Sequence, residues 1–124
     1  MATTTAINTA TLVVVMLETP TAIANAAAIA AVPGIDSLLI GTSDLSMELG
    51  IPGQLGDERI VDAYHTVIEA CRAHGKFAGI GGVYEEALMR RYLGMGVRLV
   101  LGGGDLGFMT TAATERAKML RDCR

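Results

Sequence analysis

The octapeptide Leu38-Leu39-Ile40-Gly41-Thr42-Ser43-Asp44-Leu45 runs three aliphatic side chains straight into a glycine and a short polar turn that carries a carboxylate. It returns as Leu99-Val100-Leu101-Gly102-Gly103-Gly104-Asp105-Leu106, so the pattern L-[LV]-[IL]-G-x-x-D-L occurs twice in the chain. An aliphatic run that breaks at glycine is the junction of a buried strand with the segment after it. Repetition of that junction is what successive β/α units around a parallel sheet show.

Working outward, four such units are legible. The first aliphatic run, Leu12 to Glu18 (LVVVMLE), is continuously apolar up to its final carboxylate, as expected of a strand covered on both faces. After Pro20 the Ala-rich segment TAIANAAAIAAV predicts a helix stopped by Pro33-Gly34. The second run, Ile35 to Ile40, leads through Gly41 to Leu45 into a stretch punctuated by Gly50, Pro52, Gly53 and Gly56. Irregular chain of about fifteen residues in a compact domain reads as a working loop. Asp57 then caps a helix in which Ile60, Val61, Tyr64, Val67, Ile68 and Cys71 form one apolar stripe, closed by His74 and Gly75. The third run, Phe77 to Gly82, precedes a helix from about Glu85 to Leu93. The fourth, Val97 to Leu101, precedes a last helix through Leu120.

A chain of 124 residues makes one domain, residues 1–124, and is too short for a complete eight-stranded α/β barrel, which needs about 250. Apolar residues at 51% against 19% charged, with mean hydropathy +0.42, exclude a disordered or solvating segment. Ten basic against thirteen acidic residues leave a formal charge of -3, which offers no field for nucleic acid. With two Phe, three Tyr and no Trp there are also few faces on which bases would stack. Cys71 and Cys123 form no CxxC or metal-type spacing and read as a buried helical thiol and a loose one near the C-terminus. The first ten residues have neither a basic n-region nor a continuous apolar core, and no apolar stretch approaches the ~18 residues that cross a bilayer. The expected setting is cytoplasmic, without a membrane partner.

In parallel α/β sheets ligands bind beyond the carboxyl ends of the strands, which directs attention to Glu18, Asp44 and Asp105. Neighbouring parallel strands lie about 4.8 Å apart, so carboxylates ending consecutive strands, Glu18 and Asp44, are able to converge on one cation. Oxygen donors without cysteine or histidine favour Mg²⁺ or Mn²⁺. The competing duty is to cap the amides of the following helix, and Asp105 is read that way. Glycines at Gly41, Gly81 and Gly102 to Gly104 leave backbone N–H groups open to a carboxylate or phosphate. Neither a Rossmann turn nor a P-loop is present. His65 and His74 belong to the surface of the long helix, and no histidine, lysine or tyrosine ends a strand. The residues describe a metal and anion cradle with no evident base.

At Val15-Met16-Leu17-Glu18-Thr19, Val32-Pro33-Gly34-Ile35-Asp36, Leu39-Ile40-Gly41-Thr42-Ser43-Asp44-Leu45-Ser46 and Ala73-His74-Gly75-Lys76, the chain resembles the HpcH/HpaI aldolases, class II pyruvate aldolases related to the citrate lyase β-subunit. The resemblance runs from about Leu12 to the C-terminus. It implies a (β/α)₈ barrel of which this chain is the C-terminal half, strands five to eight. It further implies a divalent metal, Mg²⁺ or Mn²⁺, on Glu18 and Asp44, and a 2-oxo acid such as pyruvate bound on that metal. Backbone amides around Ser43 and Asp44 are implied to meet the pyruvate carboxylate, with Gly81 in the same pocket.

Two departures qualify that transfer. Met16 stands where the family often carries Gln, and the half that supplies the family's catalytic His, its Asp partner and the substrate-binding Arg lies outside the resemblance. No catalytic residue is therefore assigned within the chain. The implied reaction is cleavage of a 4-hydroxy-2-oxo acid to pyruvate and an aldehyde, with weak or no activity from this chain alone. Open strand edges favour completion of the barrel by oligomerisation, as a homo-oligomer or with a separate N-terminal half. The alternative is a non-catalytic half-barrel, a scaffold or binding module. Acyl-CoA chemistry of the citrate lyase kind is a lesser alternative that no residue specifically supports.

Overall fold

The computed structural model describes residues 2–123. The chain runs α1 (Ala2–Ala10), β1 (Val14–Leu17), α2 (Pro20–Ala24), α3 (Ala26–Ala30), β2 (Ser37–Gly41), α4 (Thr42–Glu48), α5 (Glu58–Ala73), β3 (Phe77–Gly81), α6 (Glu86–Met95), β4 (Leu99–Val100) and α7 (Asp105–Asp122). The four strands form one sheet in the order β1-β2-β3-β4, every pair parallel, as a series of β/α units requires. Register aligns Met16 with Leu39 and Leu39 with Gly79, which in turn pairs with Leu99. The architecture is four β/α units, half of a (β/α)₈ barrel.

Alternation along the strands divides the sheet into two unlike faces. Leu17, Leu38, Ile40, Ala78 and Ile80 enter a single core with Ile23, Ala26 and Ala30 of α2 and α3 and with the apolar stripe of α5. That stripe, Ile60, Val61, Tyr64, Val67, Ile68 and Cys71, is buried in full. Burial of each large aliphatic among these contributes roughly 1.5–3 kcal/mol relative to exposure. On the opposite face Leu39 lies against Gly79 and Gly81, while Met16, Phe77 and Leu101 are 49%, 58% and 46% exposed. A closed barrel turns this face inward; in these four units it is open. The first run is thus covered on its helix side only, with Val14 and Met16 exposed on the other, because a half-barrel has no strands to enclose that side.

Local signals placed several boundaries. Asp57 accepts from the Arg59 amide at 3.0 Å and starts α5; His74 ends it, followed by Gly75 at φ 65°. Two expectations change. The helix after Pro20 is broken at Asn25, whose side-chain amide donates to the Thr21 carbonyl at 2.8 Å and whose φ of -93° and ψ of 5° leave the helical region. The stretch after Gly41, expected to be irregular, begins with the two-turn helix α4, because Thr42, Leu45 and Ser46 share one face and are buried against the rest of the domain. Irregular chain remains only from Leu49 to Asp57, with Gly50 and Gly53 at positive φ. Cys71 is buried and Cys123 exposed, as expected. Among the described residues no helix is long and apolar enough to cross a membrane.

Candidate functional site

β2 passes without a linker into α4, Gly41 serving as the N-cap residue, so the helix starts where the strand stops. Asp44 stands in the first turn and is exposed. Glu18 follows the last residue of β1 and is half-buried. Its side chain lies over Gly41 so closely that a β-carbon there would sit 2.8 Å from Glu18 Cγ and 2.8 Å from Oε1. Glycine at position 41 is what admits the Glu18 carboxylate to the end of the neighbouring strand.

Beside this turn is a cleft of about 150 Å³, lined by Met16, Leu39 and Leu101 on the open face of the sheet and by Gly41, Ser43, Asp44, Gly81 and Gly82 at the strand ends. Its far wall is held close by Ser43, whose hydroxyl donates to the Gly82 carbonyl at 3.3 Å. Gly82 has φ 80°, and a β-carbon there would meet Ser43 Oγ at 2.6 Å, so conformation and space both require glycine. Every substrate-site residue expected from the sequence, Gly41, Ser43, Asp44 and Gly81, borders this one cleft. The sequence reading flagged position 16 through its departure from the family's Gln but missed Gly82 and the apolar residues Leu39 and Leu101. The doublet Gly81-Gly82 was the available signal for the first; the second depends on which side of the sheet each strand residue takes.

Thr19, not Glu18, caps α2, accepting from the Ala22 amide at 3.1 Å. No side chain caps α4. Among the described residues neither the Glu18 nor the Asp44 carboxylate takes a hydrogen bond or an ion pair. Asp105 accepts from the Leu106 amide at 2.8 Å, but it is the first residue of α7 and not its cap: the N-cap residue is Gly104, and no side chain caps that helix. The repeated octapeptide therefore yields two different junctions: Asp44 lies inside α4, whereas four residues separate β4 from α7 and Asp105 is the first residue of that helix. His65 is exposed midway along α5 and His74 at its C-terminus, close in sequence to the start of β3, and neither lines the cleft.

Two unpaired carboxylates suit a hard divalent ion that keeps several water or substrate oxygens. Among the described residues no cluster of three or more His, Cys, Asp or Glu forms a closed protein cage, as a structural zinc site would need. The donor set fits a Mg²⁺-like or Mn²⁺-like ion with open positions.

A parallel half-barrel with a glycine-walled cleft at the carboxyl ends of its strands defines the class, the β/α-barrel proteins, which as a class bind ligands at that end. The chain belongs to the HpcH/HpaI aldolase/citrate lyase family, whose sequence pattern matches residues 2–112. It is 37% identical over 107 residues to a 4-hydroxy-4-methyl-2-oxoglutarate aldolase of Hapsidospora irregularis, covering 85% of this chain and 40% of that protein. It is 41% identical over 107 residues to a 4-hydroxy-2-oxovalerate aldolase of Rhodococcus jostii (strain RHA1), covering 84% of this chain and 41% of the relative. Among solved structures it is similar to an HpcH/HpaI aldolase from Desulfitobacterium hafniense DCB-2, with TM-score 0.83 and 25% identity, over 97% of this chain and 46% of that one. The citrate synthase SbnG aligns with TM-score 0.78 and 27% identity over 98% of this chain and 50% of its own. The chain thus spans about two-fifths of the curated relatives and about half of the structural ones.

Proposed function

We propose that these 124 residues form the metal- and carboxylate-binding half of an aldolase-type lyase that cleaves a 4-hydroxy-2-oxo acid, such as one yielding pyruvate, to a 2-oxo acid and an aldehyde. The observation that carries this reading is the pair of unpartnered carboxylates: Asp44, in the first turn of α4, lines a cleft walled by Gly41 and Gly81, and Glu18, just past β1, lies over Gly41. Glu18 and Asp44 would hold Mg²⁺ or Mn²⁺. When bound, such an ion supplies Lewis acidity toward the 2-oxo group.

The chain's own residues bind and orient the acid. Amides of Ser43 and Asp44 donate to its carboxylate, and Gly41 and Gly81 keep side chains out of its approach. Met16, Leu39 and Leu101 present an apolar floor that limits water around it. Neither histidine is at the strand ends, so proton transfer is assigned to residues beyond these four β/α units. On this reading the segment is cytoplasmic, and its edges at β1 and β4 pair with a second copy or a separate N-terminal half.

Calorimetric titration of Mn²⁺ into the wild-type chain and a Glu18→Ala/Asp44→Ala double variant tests the site. Binding by the wild type that the double variant loses supports it; equal heats overturn it. A second reading, a non-catalytic half-barrel, is favoured by the exposed position of both histidines. Metal-dependent exchange of pyruvate methyl protons by the purified chain would reject that reading.

A further inference from the structure

Three polar side chains are buried among the described residues: Ser37, Thr42 and Ser46, each no more than 1% exposed. Two of the three flank Asp44, at two positions before it and two after. A buried hydroxyl is unfavourable unless partnered, so this arrangement calls for specific partners. Ser46 donates to the Ser43 carbonyl at 2.6 Å and accepts from the Gly53 amide at 3.2 Å. Thr42 Oγ1 lies 2.6 Å from the Tyr64 hydroxyl on α5.

Tyr64 is itself anchored. It is wholly buried and stacks on Tyr92 of α6, ring centroids 4.0 Å apart at 27°. The Tyr92 hydroxyl donates to the Leu55 carbonyl at 2.5 Å, tying the pair to the loop that follows α4. The chain of contacts runs from the Asp44 turn through α5 and α6 and back to that loop.

α4 has only seven residues and no side-chain cap, too little to fix its own orientation. Its inward face, Thr42, Leu45 and Ser46, determines where its outward face, Ser43 and Asp44, points. For filling space at position 64 a phenylalanine ring would serve as well; the hydroxyl has one partner, Thr42. We infer that Tyr64 is a positioning residue for Asp44, acting through its hydrogen bond to Thr42 to hold the first turn of α4 in the orientation that aims the carboxylate at the cleft. The functional consequence rests on the metal-ligand reading of Asp44 given above.

The test compares Tyr64→Phe, Thr42→Val and Thr42→Ser in the full chain by Mn²⁺ titration and by hydrogen exchange of the amides of residues 42–46. Tyr64→Phe and Thr42→Val are each expected to weaken Mn²⁺ about tenfold, the low end for loss of a group that orients a ligand, and to speed exchange in that turn. Combined, they should be no worse than either alone, since both remove one bond. Thr42→Ser keeps the hydroxyl and should retain wild-type affinity, which a merely space-filling role would not predict. Wild-type affinity and exchange in both Tyr64→Phe and Thr42→Val overturn the inference, and agreement between either variant and the expectation suffices if the other fails to fold. Should the wild type bind no Mn²⁺, or Glu18→Ala bind as tightly, the metal reading fails; exchange at residues 42–46 then decides the positioning role by itself.

Discussion

Replacing Gly41 with alanine separates the site from the fold more cleanly than replacing an acidic residue. The backbone at Gly41 has φ -78° and ψ 84°, on the side of conformational space open to any residue, so alanine adds no left-handed strain. The new β-carbon would stand 2.8 Å from both Cγ and Oε1 of Glu18, at least 0.6 Å inside ordinary contact, and its tightest contacts are all with that side chain. Relief falls on the flexible end of Glu18, whose carboxylate must withdraw from the end of β2. Loss of chain freedom in the unfolded state favours alanine by about 0.4–1 kcal/mol where the native conformation allows it, and this offsets part of the crowding. Stability should therefore change by less than about 1 kcal/mol. Mn²⁺ affinity should fall about 10- to 100-fold, or about 1.4–2.7 kcal/mol of binding energy, as expected when a ligand is turned from its site. Gly102, its counterpart in the repeated octapeptide, has open space where a β-carbon would go, so Gly102→Ala is the matched control. Paired calorimetric titration and urea denaturation measure both quantities. Unchanged Mn²⁺ affinity in a folded Gly41→Ala chain would refute the claim that Glu18 reaches across Gly41 to bind the ion.

Two further outcomes follow from the packing and the charges. Hydrogen bonds from the Arg59 side chain, reinforced by its backbone amide, hold the Asp57 carboxyl at about 2, below its ordinary 3.8. A depressed acid stabilises the fold above its unfolded value and ceases to do so as pH falls through the folded one. The wild-type melting temperature should therefore drop between about pH 4 and pH 2 by more than that of Asp57→Asn; parallel curves would rule this out. Ile80→Ala, on the covered face, should cost about 2–5 kcal/mol in urea denaturation, whereas Met16→Ala, on the open face, should cost under about 1 kcal/mol in dilute solution. Equal costs at every concentration would contradict the open face, and a Met16→Ala cost that grows with protein concentration would mark assembly across it.

Much of this architecture was legible because its signals are local. Four aliphatic runs alternate with helical segments, Asp57 announces α5, and His74-Gly75 closes it; each depends on residues within a turn or two of one another. The same locality explains what was misread. Leu45, Ser46 and Thr42 look like loop residues among glycines until the α5 and β2 surfaces that bury them are in place. Ala-rich composition predicts a continuous helix after Pro20, yet one side-chain hydrogen bond at Asn25 divides it. Tyr64 reads as one more apolar position of a stripe, since its partner Thr42 lies 22 residues earlier and no periodicity connects them.

The order of strands and the family follow from the sequence by itself, because side-chain period, caps and ordered motifs are written along the chain; Glu18 does follow the end of β1, whereas Asp44, expected to end β2, belongs to the first turn of α4. Only the folded arrangement laid the Glu18 carboxylate over Gly41, seated Ser43 against Gly82 and left one face of the sheet open. Those relations join segments 23 to 39 residues apart, and which of them touch is decided by strand register and by what each face of the sheet has available to cover it.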